Sequence, residues 1–154
     1  MIQIKKNPNG DARTAPKDVT FEQFQEANDM HRDDVASVMN HLAHRLQCMG
    51  TSHDWTKKSH ERLFYNDFLA SKDDGVDFVS NDWYQLHINL ERHHLTSNCH
   101  EDVNLLDVIE MIVDCVCAGR ARSGEVRELE INDEILKKAL DNTVKMLNDM
   151  IIVE

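Results

Sequence analysis

The chain has 154 residues, enough for one domain with a substantial buried core, and only 5 Gly and 2 Pro, which argues against a turn-rich all-β fold. Its formal charge of −11, from 28 acidic and 17 basic side chains, opposes the broad basic surface that long DNA or RNA would need. A small anionic substrate remains compatible, because a metal ion and a few basic side chains can dominate the field inside one pocket. We therefore expect an all-α protein, a single compact helical domain of about five main helices.

Residues 1–19 show no sustained apolar period and contain the stretches Asn-Pro-Asn-Gly-Asp and Ala-Pro-Lys-Asp. They are predicted to form a flexible N-terminal arm, and residues 20–154 to form the helical domain. The sequence shows no leader segment and no apolar run long enough to cross a bilayer, and its 4 cysteines form no Cys-x-x-Cys pair. We expect a cytoplasmic protein with no membrane partner.

The first helix is predicted over residues 20–50. Thr20-Phe-Glu-Gln23 matches a capping box, in which the two outer side chains each accept a hydrogen bond from a backbone amide at the helix start. The apolar residues that follow recur every three or four positions and so share one side of the helix. His31 falls on this stripe and is predicted to face inward.

Two further helices carry other candidate residues. The second helix is predicted to begin at the Ser-His-Asp tripeptide, residues 52–54, and to continue to Ala70. The third is predicted over residues 81–95, with His87 and His94 on one stripe and His93 on the neighbouring face.

The fourth helix, predicted over residues 102–119, is apolar on nearly every side, which predicts a central, buried position. Asp107, Glu110 and Asp114 interrupt it at spacings of three and four, so they lie along one line. Buried carboxylates need ion pairs, hydrogen bonds or a metal, and the alternative is an ordinary polar stripe that faces solvent. A last amphipathic helix is predicted over residues 132–152.

An adjacent His-Asp pair, an earlier histidine on an inward stripe and an aspartate on a later helix offer imidazole nitrogens and carboxylate oxygens together. Such mixed sets suit Mn, Fe, Co, Ni and Zn, and sometimes Mg. The sequence therefore predicts a divalent metal site whose ligands are His31, His53, Asp54 and Asp114.

The order of these four residues resembles the HD-domain superfamily of metal-dependent phosphohydrolases. His53-Asp-Trp-Thr-Lys57 is also similar to the His-Asp-x-x-Lys form of HD-GYP phosphodiesterases, in which the lysine contacts substrate phosphate. His87, His93 and His94 look like the extra histidines with which binuclear members hold a second metal, so the resemblance implies one or two ions. No Gly-Tyr-Pro element follows the paired histidines, and His87 lies closer to them than in the HD-GYP pattern.

Four short motifs together look like a family of uncharacterised bacterial and phage proteins, and this resemblance spans residues 20–124. The motifs are His53-Asp-Trp-Thr-Lys57, Trp83-Tyr-Gln-Leu-His87, Glu91-Arg-His-His-Leu95 and Ala118-Gly-Arg-Ala-Arg-Ser-Gly124. This second resemblance brings no established activity with it.

The HD-type resemblance implies hydrolysis of a nucleotide or a related small phosphate ester, with a metal that lowers the pKa of a water near phosphorus. Lys57 and Arg92 would neutralise the phosphoryl oxygens, and Glu110 would act as general base or hold a ligating histidine by a hydrogen bond. Two alternatives remain open. One is a binuclear iron oxygenase on the same scaffold, and the other is a non-catalytic nucleotide-binding protein with a structural metal. A homo-oligomer is compatible with all three functions.

Overall fold

The computed structural model describes residues 1–11, 13–73, 75–96, 99–126 and 128–154, without the side chain of Asp73. Most of these residues are helical, which confirms the all-α expectation. The helices are α1 (Phe21–Ser52), α2 (Trp55–Ser59), α3 (Glu61–Asp73), α4 (Asp82–Leu90), α5 (Leu105–Arg122) and α6 (Asp133–Met150). The strands are β1 (Ile2–Ile4) and β2 (Ile151–Val153), and a 3₁₀ turn at Phe78–Ser80 precedes α4.

The chain divides into two compact units, residues 1–48 with 144–154 (unit 1) and residues 49–143 (unit 2). In unit 1, α1 begins with the predicted capping box. Thr20 Oγ1 accepts a hydrogen bond of 3.3 Å from Gln23 N, and Gln23 Oε1 accepts one of 3.0 Å from Thr20 N. Two of the amides that a helix start leaves unpaired are thereby satisfied, so α1 begins where the sequence predicts.

The first and last residues of unit 1 pair as a short parallel ladder. Ile2 of β1 aligns with Ile151 of β2, and the ladder continues through hydrogen bonds from Lys6 N to Glu154 O (2.7 Å) and from Glu154 N to Ile4 O (3.0 Å). The sequence did not predict this pairing, because strands of three residues carry too few positions to show an alternating pattern.

Unit 2 has an apolar core where the start of α5 meets α6. Val103, Val108 and Ala139 are buried there. Thr143 Oγ1 accepts a hydrogen bond of 2.8 Å from Leu105 N, which ties the first turn of α5 to α6. The position of α5 is therefore fixed at its N-terminal end.

A column of rings joins α3 to α4. The Phe64 ring stacks on Trp83 with centroids 4.0 Å apart, and Trp83 stacks on His87 at 4.8 Å with an interplanar angle of 13°. Trp83 is only 2% exposed, and its backbone amide donates a hydrogen bond of 2.9 Å to Asp67 Oδ2. The His87 ring is thus held on one face by a buried aromatic residue.

Two predicted helices differ from the observed ones. His53 and Asp54 lie in a turn before α2 rather than inside a helix, and His60 separates α2 from α3. Helix α4 ends at Leu90, so the paired histidines that follow lie in a turn rather than in the third helix. The prediction that they lie on helical faces is therefore wrong.

The prediction that the fourth helix is buried on nearly every side is also wrong. Leu106, Asp107 and Val108 of α5 are buried, but several apolar residues beyond them are at least about a third exposed. These are Ile109, Ile112, Val113 and Val116.

Across the described residues, no helix combines the length and the apolar character that crossing a membrane requires.

The start of α5 allows a test of its stability. Asn104 Oδ1 accepts a hydrogen bond of 3.0 Å from Leu106 N, and Asp107 Oδ2 accepts one of 2.9 Å from Asn104 N. Replacing Asn104 with Ala removes the first of these bonds, so we expect the free energy of unfolding to fall by about 1 kcal/mol. Urea denaturation measures the change. Asn89→Ala, at an exposed position of α4, is the control and should cost less than half as much.

Candidate metal centre

Seven histidine and carboxylate side chains of unit 2 converge from α4, α5 and two turns. They are His53, Asp54, His87, His93, His94, Glu110 and Asp114. All seven were candidates in the sequence. Some of them, with Glu91, form groups whose ligand atoms lie within 4.8 Å of one another and could hold a metal ion. These groups are His53 with Asp54 and His93, His87 with His93 and His94, and Asp54 with His87 and Glu91.

Asp54 lies at the centre of the cluster. Its Oδ1 is 3.4 Å from His87 Nε2 and 3.7 Å from His93 Nε2, and its Oδ2 is 3.5 Å from His53 Nε2. Lys57 Nζ also contacts Oδ2. The backbone of Asp54 has φ 56°, a left-handed conformation that Asp tolerates better than most residues. This turn directs the carboxylate toward three imidazoles.

His53 is held by α5. Its Nδ1 lies 3.0 Å from Glu110 Oε1, and its Nε2 lies 3.4 Å from Asp114 Oδ1. Since Glu110 accepts the Nδ1 proton, Nε2 of a neutral ring carries a lone pair directed at two carboxylates. Burial opposes protonation of His53, but the hydrogen bond to Glu110 and the charges of Asp54 and Asp114 outweigh it and raise its pKa. This nitrogen therefore favours a cation or a proton.

His87 is oriented by a hydrogen-bond chain from Glu91 through Thr56. Thr56 Oγ1 donates to Glu91 Oε1 at 2.6 Å, so it must accept the hydrogen of His87 Nδ1, which lies 2.6 Å away. Glu91 Oε1 also accepts a hydrogen bond of 2.8 Å from Thr56 N. The tautomer of His87 follows: Nδ1 carries the proton, and the lone pair of Nε2 faces Asp54.

His93 is the most deeply buried member of the cluster, at 1% exposure. Its ring centroid is 4.5 Å from that of His53, and its Nδ1 is 3.6 Å from Glu110 Oε1, too far for a good hydrogen bond. His94 Nε2 is 2.9 Å from His87 Nε2. Three imidazoles from α4 and the following turn thus meet near one carboxylate.

The buried histidines are neutral at physiological pH. Burial and the neighbouring His94 lower the pKa of both His87 and His93 to about 4, and burial also lowers the pKa of His94. Neutral imidazole is the form that binds metals, because the ligating nitrogen must carry its lone pair.

Three atoms at the centre of the cluster are buried without a hydrogen-bond partner within the described part of the chain. They are Asp54 Oδ1 and both ring nitrogens of His93. Unpaired buried polar atoms are costly, and a cation bound by them would remove that cost. Ligands about 2.1 Å from a common ion lie about 3.0 to 3.4 Å apart, close to the nitrogen–oxygen and nitrogen–nitrogen separations observed here. These side chains could therefore hold a metal ion.

His31 does not belong to these groups. It lies on α1 in unit 1 and its side chain is exposed, so the prediction that it faces inward is wrong. The groups found among the described residues consist of unit 2 residues only. A ligand role for His31 stays a prediction.

Arg92 lies outside the cluster and pairs with two aspartates. Its Nε and Nη2 donate to the two carboxylate oxygens of Asp107 at 2.9 Å each, and its Nη1 donates to Asp102 Oδ1 at 2.9 Å. The Asp107 carboxylate raises the pKa of Arg92, which stays charged. Asp107 is thus satisfied by an ion pair, and a catalytic role for Arg92 stays a prediction.

Thr56 and Glu91 were missed in the sequence. Both are buried, at 0% and 4% exposure, and they fix the tautomer of His87. The signal was their position inside two histidine-containing motifs, two residues after Asp54 and two before His93.

Asp54 also lines an open cleft of about 670 Å³. Lys57 and Lys58 of α2 line it beside the aspartate. Four residues of α3 continue the lining, namely Glu61, Phe64, Tyr65 and Phe68. Asp54 of the candidate metal centre thus lies in the lining of a cleft whose walls carry lysine, carboxylate and aromatic side chains.

Comparison with protein families matches residues 20–152 to a family of unknown function, DUF5662. No curated protein and no solved structure matches the chain. The matched segment includes all seven residues of the cluster and the lining of the cleft. The chain therefore belongs to the DUF5662 family.

Proposed function

We propose that this chain is a metal-dependent phosphohydrolase that acts on a nucleotide or a related small phosphate ester. The observation that carries the metal site is that Asp54 Oδ1 and both ring nitrogens of His93 are buried with no hydrogen-bond partner among the described residues. The hydrolase assignment is supported by the two lysines that line the cleft at the same aspartate, and by the resemblance to HD-domain phosphohydrolases.

The ligands favour one or two ions of Mn, Fe, Co, Ni or Zn, since Mg prefers oxygen ligands and keeps much of its water. His53, Asp54 and His93 would hold one ion, and His87 with His94 would complete the set or hold a second. When bound, such an ion polarises a phosphoryl oxygen and makes hydroxide available near neutral pH.

The chain's own side chains position these ligands and the substrate. Glu110 holds the His53 ring, and Thr56 holds the His87 ring. The Lys57 ammonium lines the cleft and is partly exposed, so it can neutralise charge on a phosphoryl group that approaches Asp54. Lys57 is the residue expected to act on the substrate directly.

Phosphate release from nucleoside monophosphates tests the proposal. We expect protein purified without chelator to be active, chelator to abolish the activity, and one of the five transition metals to restore it. Lys57→Ala should lower kcat/KM about tenfold at unchanged metal content, because it removes one charge-assisted contact. Lys137→Ala is the matched control, since the Lys137 ammonium pairs with the exposed Asp141 on α6.

The panel should also include phosphodiesters, and each assay should be run with and without oxygen. Bound metal without turnover of any phosphate ester would contradict a hydrolase and favour the non-catalytic binding protein. Turnover that requires oxygen and two iron ions per chain would favour the oxygenase.

A further inference from the structure

Two aromatic rings in the cleft are unexplained by the metal site. Tyr65 is 51% exposed and Phe68 is 42% exposed, although burial of such large rings is normally favourable. They are three residues apart on α3, so they lie on the same side of the helix. Both rings line the cleft that Asp54 also lines. The rings therefore offer a planar apolar surface to whatever enters the cleft.

The character of the cleft changes along its length. Lys57 and Lys58 bring two ammonium groups to the Asp54 end, where Lys57 pairs with Asp54 and Lys58 forms no ion pair among the described residues. The helical rise places Tyr65 about 6 Å along α3 beyond Glu61, and Phe68 about 10 Å beyond it. An anionic group therefore fits one end of the cleft, and a planar group fits the other.

The two rings are not equally available. Lys72 Nζ lies over the Phe68 ring, 5.5 Å from its centroid, and covers one of its faces. Phe64, which also lines the cleft, already stacks on Trp83. Tyr65 is thus the most accessible ring for stacking.

From this arrangement we infer that the cleft binds a nucleoside monophosphate, with the phosphate at Lys57 and Lys58 and the base stacked on Tyr65. The inference rests on the proposed function for its phosphate end only. Glu61, which also lines the cleft, offers carboxylate oxygens that accept hydrogen bonds from ribose hydroxyls or a base amino group. A phosphate ester without a planar ring would leave the aromatic end of the cleft in water.

Binding measurements on the purified metal-containing protein test the inference with three probes. These are a hydrolysis-resistant phosphonate analogue of AMP, adenosine and inorganic phosphate. Tyr65→Ala should weaken binding of the analogue and of adenosine about tenfold, since it removes one stacking platform, and should leave phosphate binding unchanged. Tyr65→Phe keeps the ring and should bind all three probes like the unmodified protein.

Phe21→Ala is the control, because Phe21 is an exposed ring on α1 outside the cleft. The inference is overturned if Tyr65→Ala leaves the analogue's affinity unchanged, or if the analogue binds no more tightly than phosphate. Base-dependent binding in a protein that hydrolyses nothing supports the cleft assignment while the proposed hydrolase fails. Hydrolysis of phosphate esters, with no effect of Tyr65→Ala on binding, would support the proposed hydrolase and overturn the assignment of the base to Tyr65.

Discussion

Replacing Asp54 with Asn should reduce metal affinity by about 100-fold or more. Asp54 is the carboxylate that three imidazoles approach, and its Oδ1 is buried with no hydrogen-bond partner in the part of the chain that the structure describes. Loss of a residue that only supports a ligand typically weakens metal binding about 10- to 100-fold, so loss of a carboxylate that binds the ion itself, as we propose for Asp54, should exceed that range. Asn has nearly the same shape and tolerates the left-handed backbone of this turn, which isolates the effect of charge.

Elemental analysis after purification without chelator measures the retained metal, and thermal unfolding with and without chelator measures its contribution to stability. A metal that binds only the folded chain raises the unfolding temperature. We expect chelator to lower this temperature for the unmodified protein and to leave that of Asp54→Asn unchanged. Asp141→Asn, at an exposed position of α6 outside the cluster, should behave like the unmodified protein.

Equal metal content in Asp54→Asn and the unmodified protein would contradict a centre built on this carboxylate. If neither protein contains metal, even after each transition metal is added, a bound proton instead of a metal ion would balance the negative charge of the cluster. His53 would be that proton's site, because three carboxylates surround it and raise its pKa. The two results therefore separate a metal centre from a buried charge network.

The sequence predicted which residues form the cluster better than it predicted how they are arranged. Residue type identified the histidines and carboxylates, because nine histidines in a short acidic chain are unusual and one of them, His53, directly precedes an aspartate. Helical periodicity then assigned His93 and His94 to different faces of one helix. That assignment failed because α4 ends at Leu90, and no glycine or proline marks this end in the sequence.

The spacing of apolar residues also failed to predict which side of a helix is buried. The stripe containing His31 and the apolar surface of α5 both predict inward faces, yet His31 and residues such as Val113 are exposed. Periodicity shows which residues share a side of a helix, but not which side meets another element. The carboxylates of α5 show the same limit, since Asp107 pairs with Arg92 while Glu110 holds His53.

Replacing Thr56 with Val should weaken metal binding about 10- to 100-fold without removing any ligand. The hydroxyl of Thr56 donates to Glu91 and accepts from His87 Nδ1, so it fixes which nitrogen of His87 carries the lone pair. Val has nearly the same shape but no hydroxyl. His87 then loses its partner at Nδ1 and can place its proton on Nε2, which blocks the nitrogen that faces Asp54.

Thr56→Ser separates this effect from ordinary destabilisation. Ser keeps the hydroxyl and loses one methyl group from a fully buried position, so it should lower stability slightly and retain most of the metal affinity. Metal affinities from competition with a chelator, together with the nitrogen chemical shifts of the His87 ring, give the readout. A tautomer and an affinity that stay the same in Thr56→Val would show that the hydroxyl only packs the interior. A change in both, reversed by Ser, would establish that Thr56 prepares His87 for the metal.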